Sequence, residues 1–373
     1  MGRQMSDGTT WSKNTRWLRS GGALLAACAL NASGQASQVS DGNANVAPAC
    51  ELAPSDRQWI ARGLDAWRYA SANITKFKPS RSVKGVFFDT NCTVIVDDAL
   101  GTGVATEVGD TRRHGDTVPL PDGTKVPVAP LSFARASGAT LYFAMSTPSV
   151  WRRSGVTNPG LGLETMMVAV LIHESSHLAQ ADTYGRRIER LAVRNRLPES
   201  FNDDSLQERF EGNQAFSASV RAETKLLLSA AEARETATAR RLIRRAIDMM
   251  RSRSRHYFVG RDAYYREAED VWLTMEGSAQ WAAFHWIVDP RGGAFTRQVA
   301  IPNFAKRSKW WSQNEGLALF LALERIDGQR LRDSVFGRGD LTIGQLIERG
   351  LSTPSKIAKP LPDAGRPASV GAR

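Results

Sequence analysis

The pattern of apolar and polar positions divides the chain into stretches that could not build a core and stretches whose apolar residues repeat with a helix or strand period. Residues 29–48 carry Ala, Ser, Asn, Gly and Gln with hardly any large apolar group, the composition of a flexible tether. Folded structure is expected to begin near Cys50. Ser55 can cap a helix in which Trp59, Ile60, Leu64 and Trp67 fall on one face. Residues 83–88 and 92–96 read as short strands, joined by Asp89-Thr90-Asn91 in a hairpin. Residues 101–130 are full of Gly, Pro, Asp and Thr and read as loops, and residues 139–145 form another β-type run. From about residue 161 to 287 the pattern is helical, with helices predicted over 162–182, 205–231, 232–257 and 262–287. A last helical pair is expected over 310–326 and 342–350. The tail over residues 353–373 holds Pro354, Pro360, Pro362 and Pro367 and reads as disordered. The fold class this predicts is α+β, predominantly helical. A small β-containing amino-terminal part and a helical carboxy-terminal part form one folded unit over residues 50–352, without internal repeats.

The first 36 residues read as an export signal. Lys13, Arg16 and Arg19 supply a positive start, and residues 21–30 a short apolar core. That core is far shorter than the roughly 20 residues a membrane-spanning helix needs. Within it, Leu25-Ala26-Ala27-Cys28 resembles the lipobox of bacterial lipoproteins, which implies cleavage before Cys28 and lipidation of its thiol. The alternative is ordinary signal cleavage after Gly34-Gln35-Ala36. Either route takes the chain out of the cytoplasm, to the periplasm or the membrane surface or into secretion. Of the three cysteines, Cys28 is then lipidated or removed, and the remaining pair, Cys50 and Cys92, is expected to form a disulfide in an oxidising compartment.

Composition narrows the partners. A hydrophobic content of 42% with 23% charged residues is that of a globular protein, so wholesale disorder is excluded. The net charge of +11 favours anionic partners. No recognition helix, zinc-finger spacing or ribonucleoprotein motif is present, so no nucleic acid partner is expected. The basic run over residues 240–255 interleaves with Leu242, Ile243, Ile247 and Met250 and reads as an amphipathic helix with a charged outer face. Trp310-Trp311 looks like an exposed pair that could contact lipid or substrate.

The chemistry concentrates in His173-Glu174-Ser175-Ser176-His177, preceded by the apolar run 166–172. Histidines four apart project from one face of a helix, so both imidazoles can reach one metal ion. Glu174 stands beside them, where a carboxylate can take a proton from metal-bound water. A catalytic zinc needs a third protein ligand and an open position. A further histidine six residues after His177 would mark a metzincin, but that position holds Thr183. The third ligand is therefore expected to be a downstream carboxylate. Three Glu-Gly pairs offer one: Glu211-Gly212, Glu276-Gly277 and Glu315-Gly316. Glu276 is favoured because it lies mid-helix and is followed by small residues, Gly277, Ser278 and Ala279, that let two helices approach closely. Glu315 and Glu211 remain open.

His173-Glu174-Ser175-Ser176-His177, followed after a long helical stretch by Glu276-Gly277-Ser278-Ala279, resembles the gluzincin metallopeptidases. The resemblance implies a zincin-like fold, Zn2+ held by His173, His177 and Glu276, Glu174 as general base, and a peptide or protein substrate. The chain departs from the pattern at Gln280, where thermolysin-like enzymes have an acidic residue four after the ligand glutamate. Asp182, Glu223 or Glu269 could orient a ligand histidine instead. His256, Tyr257, Tyr264 and Tyr265 are candidates to stabilise an oxyanion, and the strand over 139–145 is a candidate edge for an extended peptide. The alternative function is a non-catalytic, zinc-binding envelope lipoprotein with a binding or structural role.

Overall fold

The computed structural model describes residues 50–79, 81–100, 110–138, 140–304, 310–327 and 333–353. The export signal with Cys28, the tether and the tail from residue 354 lie outside the described residues. The fold is α+β and predominantly helical, as the apolar pattern predicts.

The first helix, α1 (Pro54–Ala70), begins on a proline, whose missing N–H would have no helical partner in that turn anyway. Ser55 lies inside the helix and caps nothing, which corrects the expected start. Asp56 instead faces inward and is fully buried. Its carboxylate accepts hydrogen bonds from the Thr147 hydroxyl (2.8 Å) and the Ser149 N–H (3.2 Å), tying α1 to the start of the short helix α2 (Pro148–Arg153).

The main sheet contains β1 (Val83–Phe88), β2 (Cys92–Val96), β3 (Asp110–Arg113), β6 (Ser132–Ser137) and β7 (Thr140–Ser146), in the order β3-β2-β1-β7-β6. The β1–β7 pair is parallel and the other pairs are antiparallel. Side chains alternate across the sheet. Phe87 and Phe143 face α1, where Phe143 meets Trp67 edge-on at 4.9 Å and Phe87 at 5.2 Å. Val86, Phe88, Phe133 and Tyr142 face the other way, onto a small hairpin of β4 (Thr117–Pro119) and β5 (Lys125–Pro127). Three strands thus occupy the stretch expected to be loops. β4 and β5 each bury a single residue, Val118 and Val126, and β3 buries none, so they offer no apolar run to read. Gly123, at φ +82°, closes the hairpin turn.

A second correction concerns β7. It pairs on both sides, with β1 and β6, so the outer strand of that side is β6 and not the run over 139–145.

The helical part comprises α3 (Leu163–Gln180), α4 (Arg186–Asn195), α5 (Ser205–Phe210), α6 (Gln214–Glu232), α7 (Thr236–Tyr257), α8 (Tyr265–Val288), α9 (Arg297–Phe304), α10 (Trp311–Asp327) and α11 (Ile343–Ser352). The single helix expected over 205–231 is two helices. Asn213 interrupts it by accepting a hydrogen bond from the Phe216 N–H, a side-chain cap that starts α6. Trp311 is buried and stacks on Phe216 at 5.5 Å, so Trp310-Trp311 is not an exposed aromatic pair.

Two helices form the centre. Residues 166–178 of α3 and 271–284 of α8 are buried without interruption, which explains their nearly continuous apolar sequences. α8 packs between α3 and α10. Its crossing with α10 is so close that a Cβ on Gly277 would stand 2.5 Å from the Gly316 carbonyl carbon.

Cys50 and Cys92, expected to pair in a disulfide, are core neighbours left without a covalent bond between them in this structure. Both are free, buried thiols, close enough that Cys50 hydrogen-bonds Cys92. Burial, then that bond, pushes the Cys92 thiol up to about 12. Among the described residues no helix is long and apolar enough to cross a membrane.

Candidate metal centre

α3 and α8 bring three side chains to one point. His173 and His177, one turn apart on α3, direct their Nε2 atoms at each other at 3.2 Å. Glu276 of α8 meets both: its Oε2 lies 3.3 Å from His173 Nε2, and its Oε1 lies 3.3 Å from His177 Nε2. All three residues are buried, with 6% of His173, none of His177 and 1% of Glu276 exposed.

The donor set and its spacing fit a tetrahedral metal. With bonds of about 2.0–2.1 Å, the ligand atoms of such an ion stand roughly 3.3–3.4 Å apart. Two imidazole nitrogens and a carboxylate are the ligand types a zinc-like ion takes. Among the described residues this is the one group of three or more His, Cys, Asp or Glu side chains arranged to hold a metal.

Neighbouring groups fix the ligands. The Gln180 amide donates to the Ser278 hydroxyl (2.6 Å), which itself donates to the Met275 carbonyl (3.0 Å). That orientation leaves Gln180 Oε1 to accept from His177 Nδ1–H at 3.2 Å. His177 therefore carries its proton on Nδ1 and presents a bare Nε2, the tautomer a metal ligand requires. On the other side, Gln280 donates to Gln313 Oε1 (2.7 Å), and Gln313 of α10 donates to Glu276 Oε2 (3.4 Å). The residue that departs from the thermolysin-like pattern thus acts through Gln313 on the glutamate.

Electrostatics follow the geometry. Burial alone would raise the Glu276 pKa, but His177, His173 and the Gln313 amide hold it below the ordinary carboxyl value. Burial lowers the pKa of His177, and the nearby His173 adds to this, while Glu276 and Gln180 oppose it. Both shifts favour a charged carboxylate beside a neutral imidazole, the forms that bind a cation.

Glu174 points away from the two imidazoles toward β6. Its Oε1 accepts from the Ser132 hydroxyl at 3.2 Å, and its Oε2 is buried with no hydrogen-bond partner. Burial, and next the charge of Glu276, push its pKa well above the ordinary carboxyl value. Asp203, half-buried in the segment before α5, is raised in the same way by burial and by Glu276.

No family model matches the sequence, and neither a curated protein nor a solved structure matches the chain.

Of the three carboxylates that competed for the third position, only Glu276 meets the histidines. Glu211 is exposed at the end of α5, and Glu315 belongs to a separate cluster around Arg253. None of Asp182, Glu223 and Glu269 orients a ligand histidine: Asp182 pairs at the surface with Arg81 and Arg186, and the two glutamates bind Arg253. The proposed oxyanion groups are spent elsewhere. The Tyr265 hydroxyl donates to the Ser205 carbonyl, Tyr264 packs on Phe201, and Tyr257 with its neighbour His256 packs beside Phe210 and Phe216. Gln180 had a signal in the sequence, being a polar residue one turn past His177 in a buried helix. Gln313, on a distant segment, had none.

Proposed function

We propose that the chain is a zinc-dependent hydrolase, a peptidase of gluzincin type that acts outside the cytoplasm. The observation that carries this reading is the convergence of His173 Nε2, His177 Nε2 and the Glu276 carboxylate, one oxygen 3.3 Å from each imidazole and the imidazoles 3.2 Å apart, with a further carboxylate, Glu174, nearby. A zinc ion bound there supplies a Lewis acid that acidifies water and polarises a carbonyl oxygen. The residues around it do the rest. Glu276 and His177 keep the charge states that bind a cation, Gln180 fixes the His177 tautomer, and Gln313 fixes the Glu276 carboxylate. Glu174 serves as general base. Its Oε2 has no competing donor, and burial raises its proton affinity, which suits it to take a proton and return it to a leaving amine. Ser132 holds the other oxygen. Ser132 opens β6, the outer strand on that side of the sheet, so the edge role for an extended substrate passes from the 139–145 run to β6.

The export signal and a lipid anchor at Cys28 complete the proposal, with the tether holding the catalytic unit near a membrane. Replacement of Cys28 by Ala is expected to release the protein from membranes, and unchanged association would remove the anchor from the reading.

The test of the site is metal analysis of the purified protein beside its His173→Ala and Glu174→Gln variants, with peptide hydrolysis assayed on the same samples. About one zinc per chain, lost in His173→Ala and kept without hydrolysis in Glu174→Gln, supports a peptidase. Zinc without hydrolysis even in the wild type moves the reading to a non-catalytic zinc-binding protein, and no zinc in any sample overturns the site.

A further inference from the structure

Beneath the crossing of α8 and α10 lies a second charged cluster, which the hydrolytic site does not use. Arg253 of α7 is fully buried against the ring of Phe216, with its guanidinium carbon 4.8 Å from the ring centre. Three carboxylates surround it from three other helices. Glu223 of α6 accepts from Arg253 Nε and Nη2 at 3.0 and 2.8 Å and from the Ser219 hydroxyl at 2.6 Å. Glu269 of α8 accepts from Arg253 Nη1 at 2.5 Å. Glu315 of α10 receives only a long contact, 3.5 Å, from Arg253 Nη2 to its Oε2, and its Oε1 is buried with no partner. The side chains of Glu223, Glu269 and Glu315 are 0%, 9% and 2% exposed.

Three carboxylates around one guanidinium cannot all be ionised in such a place. The cluster would carry two uncompensated negative charges away from water, at a cost far above what a fold of ordinary stability can bear. Hydrogen bonding identifies the neutral member. Glu223 is fully provided with donors as a carboxylate, and Glu269 has a short charged contact. Glu315 has only the long contact with Arg253, and its other oxygen has no donor. A buried carboxyl without donors takes the proton first.

We propose that Glu315 is a buried proton-binding site, a neutral carboxylic acid at neutral pH in the cluster that joins α6, α7, α8 and α10. The charged groups facing it are Glu223 from α6, Arg253 from α7 and Glu269 from α8, while Leu206 of α5 is apolar. Burial first, opposed by Arg253 and reinforced by Glu223 and Glu269, raises its pKa in agreement with the geometry. The small cavity that Glu315 and Glu269 share with Trp272 and Trp311 has a volume of about 10 Å³, room for a water and not for a substrate side chain.

The sign of the pH effect follows. A carboxyl whose folded pKa is raised contributes all of its stability below the unfolded carboxyl pKa. It loses that stability as pH rises, by about tenfold in the folding constant per pH unit, until the folded pKa is passed. The loss therefore begins at about pH 4, where the unfolded carboxyl titrates, and ends when the folded group has lost its proton.

The experiment compares the purified protein with its Glu315→Gln and Glu223→Gln variants, each treated with chelator so that the result does not depend on the metal-site reading. Glutamine copies the shape and donor of a neutral acid. The Glu315→Gln chain is expected to fold with at least wild-type stability at neutral pH and to lose the decline above about pH 4 expected of the wild type. In the infrared difference between wild type and variant at neutral pH, the band of one protonated carboxyl should be lost. Glu223→Gln, which removes an ionised partner of Arg253, is expected to lower the folding constant by a hundredfold or more. Failure of Glu315→Gln to fold, an unchanged decline of stability with pH, or an infrared difference with no protonated-carboxyl band lost would each overturn the proposal.

Discussion

The close crossing of α8 and α10 makes Gly277→Ala a demanding perturbation of both the fold and the metal centre. In an ordinary helix, Gly to Ala gains about 1 kcal/mol because glycine has more freedom to lose. At Gly277 the new methyl carbon would lie 2.5 Å from the Gly316 carbonyl carbon, 2.6 Å from its Cα and 2.7 Å from its carbonyl oxygen. Those atoms are backbone and cannot rotate away. Restoring ordinary carbon–carbon contacts of about 3.5–4.0 Å requires the two helices to part by roughly 1 Å. Forcing additional carbon into a packed core costs typically 1–3 kcal/mol, and a rigid backbone neighbour places this case at the upper end. The clash outweighs the propensity gain, leaving a net loss of roughly 2 kcal/mol. The same separation moves Gln313 away from Glu276 Oε2, a contact already at 3.4 Å. Thermal unfolding should therefore fall by several degrees, and zinc affinity, measured by competition with a chelating dye, should fall with it. Gly212→Ala is the matched comparison, since nothing lies within 4 Å of its added carbon, and it should leave both quantities near wild type. If Gly277→Ala binds zinc and melts like the wild type, the helix crossing does not set the position of Glu276.

The other predictions concern single interactions. Gln313→Ala should weaken zinc affinity by roughly 10–100-fold while leaving far-ultraviolet circular dichroism unchanged, as expected for a group that only orients a ligand; wild-type affinity would show that Glu276 needs no help from α10. Gln180→Leu should have an effect of similar size through the His177 tautomer, read by the same titration. Asp122 pairs with Arg135 at 2.5 Å on the far side of the sheet, and both side chains are buried. Although burial alone would raise it, hydrogen bonds from Thr124 and Arg135 hold the Asp122 carboxyl down to about 2. Because the folded value is depressed, the pair stabilises the chain above the unfolded carboxyl pKa and is lost as pH falls from about 4 through about 2, a contribution on the order of 2 kcal/mol. Asp122→Asn should accordingly cost much more in denaturant unfolding at pH 7 than at pH 2, and an equal cost at both would remove the ion pair from the account.

What the sequence disclosed was whatever is local to one element. His173 and His177 are one helical turn apart, and Trp59, Ile60, Leu64 and Trp67 repeat along one face of α1, so their relation is written in their spacing. The long buried helices α3 and α8 announced themselves by continuous apolar runs. Strands β3 to β5 did not, because they are short and carry at most one buried residue each, which leaves no apolar alternation to read. The donors that tune the site were hidden for a related reason. Gln313 reaches Glu276 across 37 residues, and Gln180 reaches Ser278 across 98. No period or short motif connects positions that only the packing of three helices brings together.

The rivalry between Glu276 and Glu315 has the same physical origin. Each precedes a glycine, and a reading of the sequence alone has to treat the two Glu-Gly pairs as alternative ligands. In the fold the glycines face each other, Gly277 against Gly316, and each is required because the partner backbone leaves no room for a side chain. The likeness of the two motifs therefore reports one helix crossing seen from both sides. What separates the glutamates is direction. Glu276 leaves the crossing toward α3 and the two imidazoles, and Glu315 leaves it toward α7 and Arg253. A carboxylate beside such a crossing is placed with little freedom, which suits both a metal ligand and a buried acid. The two polar centres of the molecule are thus anchored on one contact between helices.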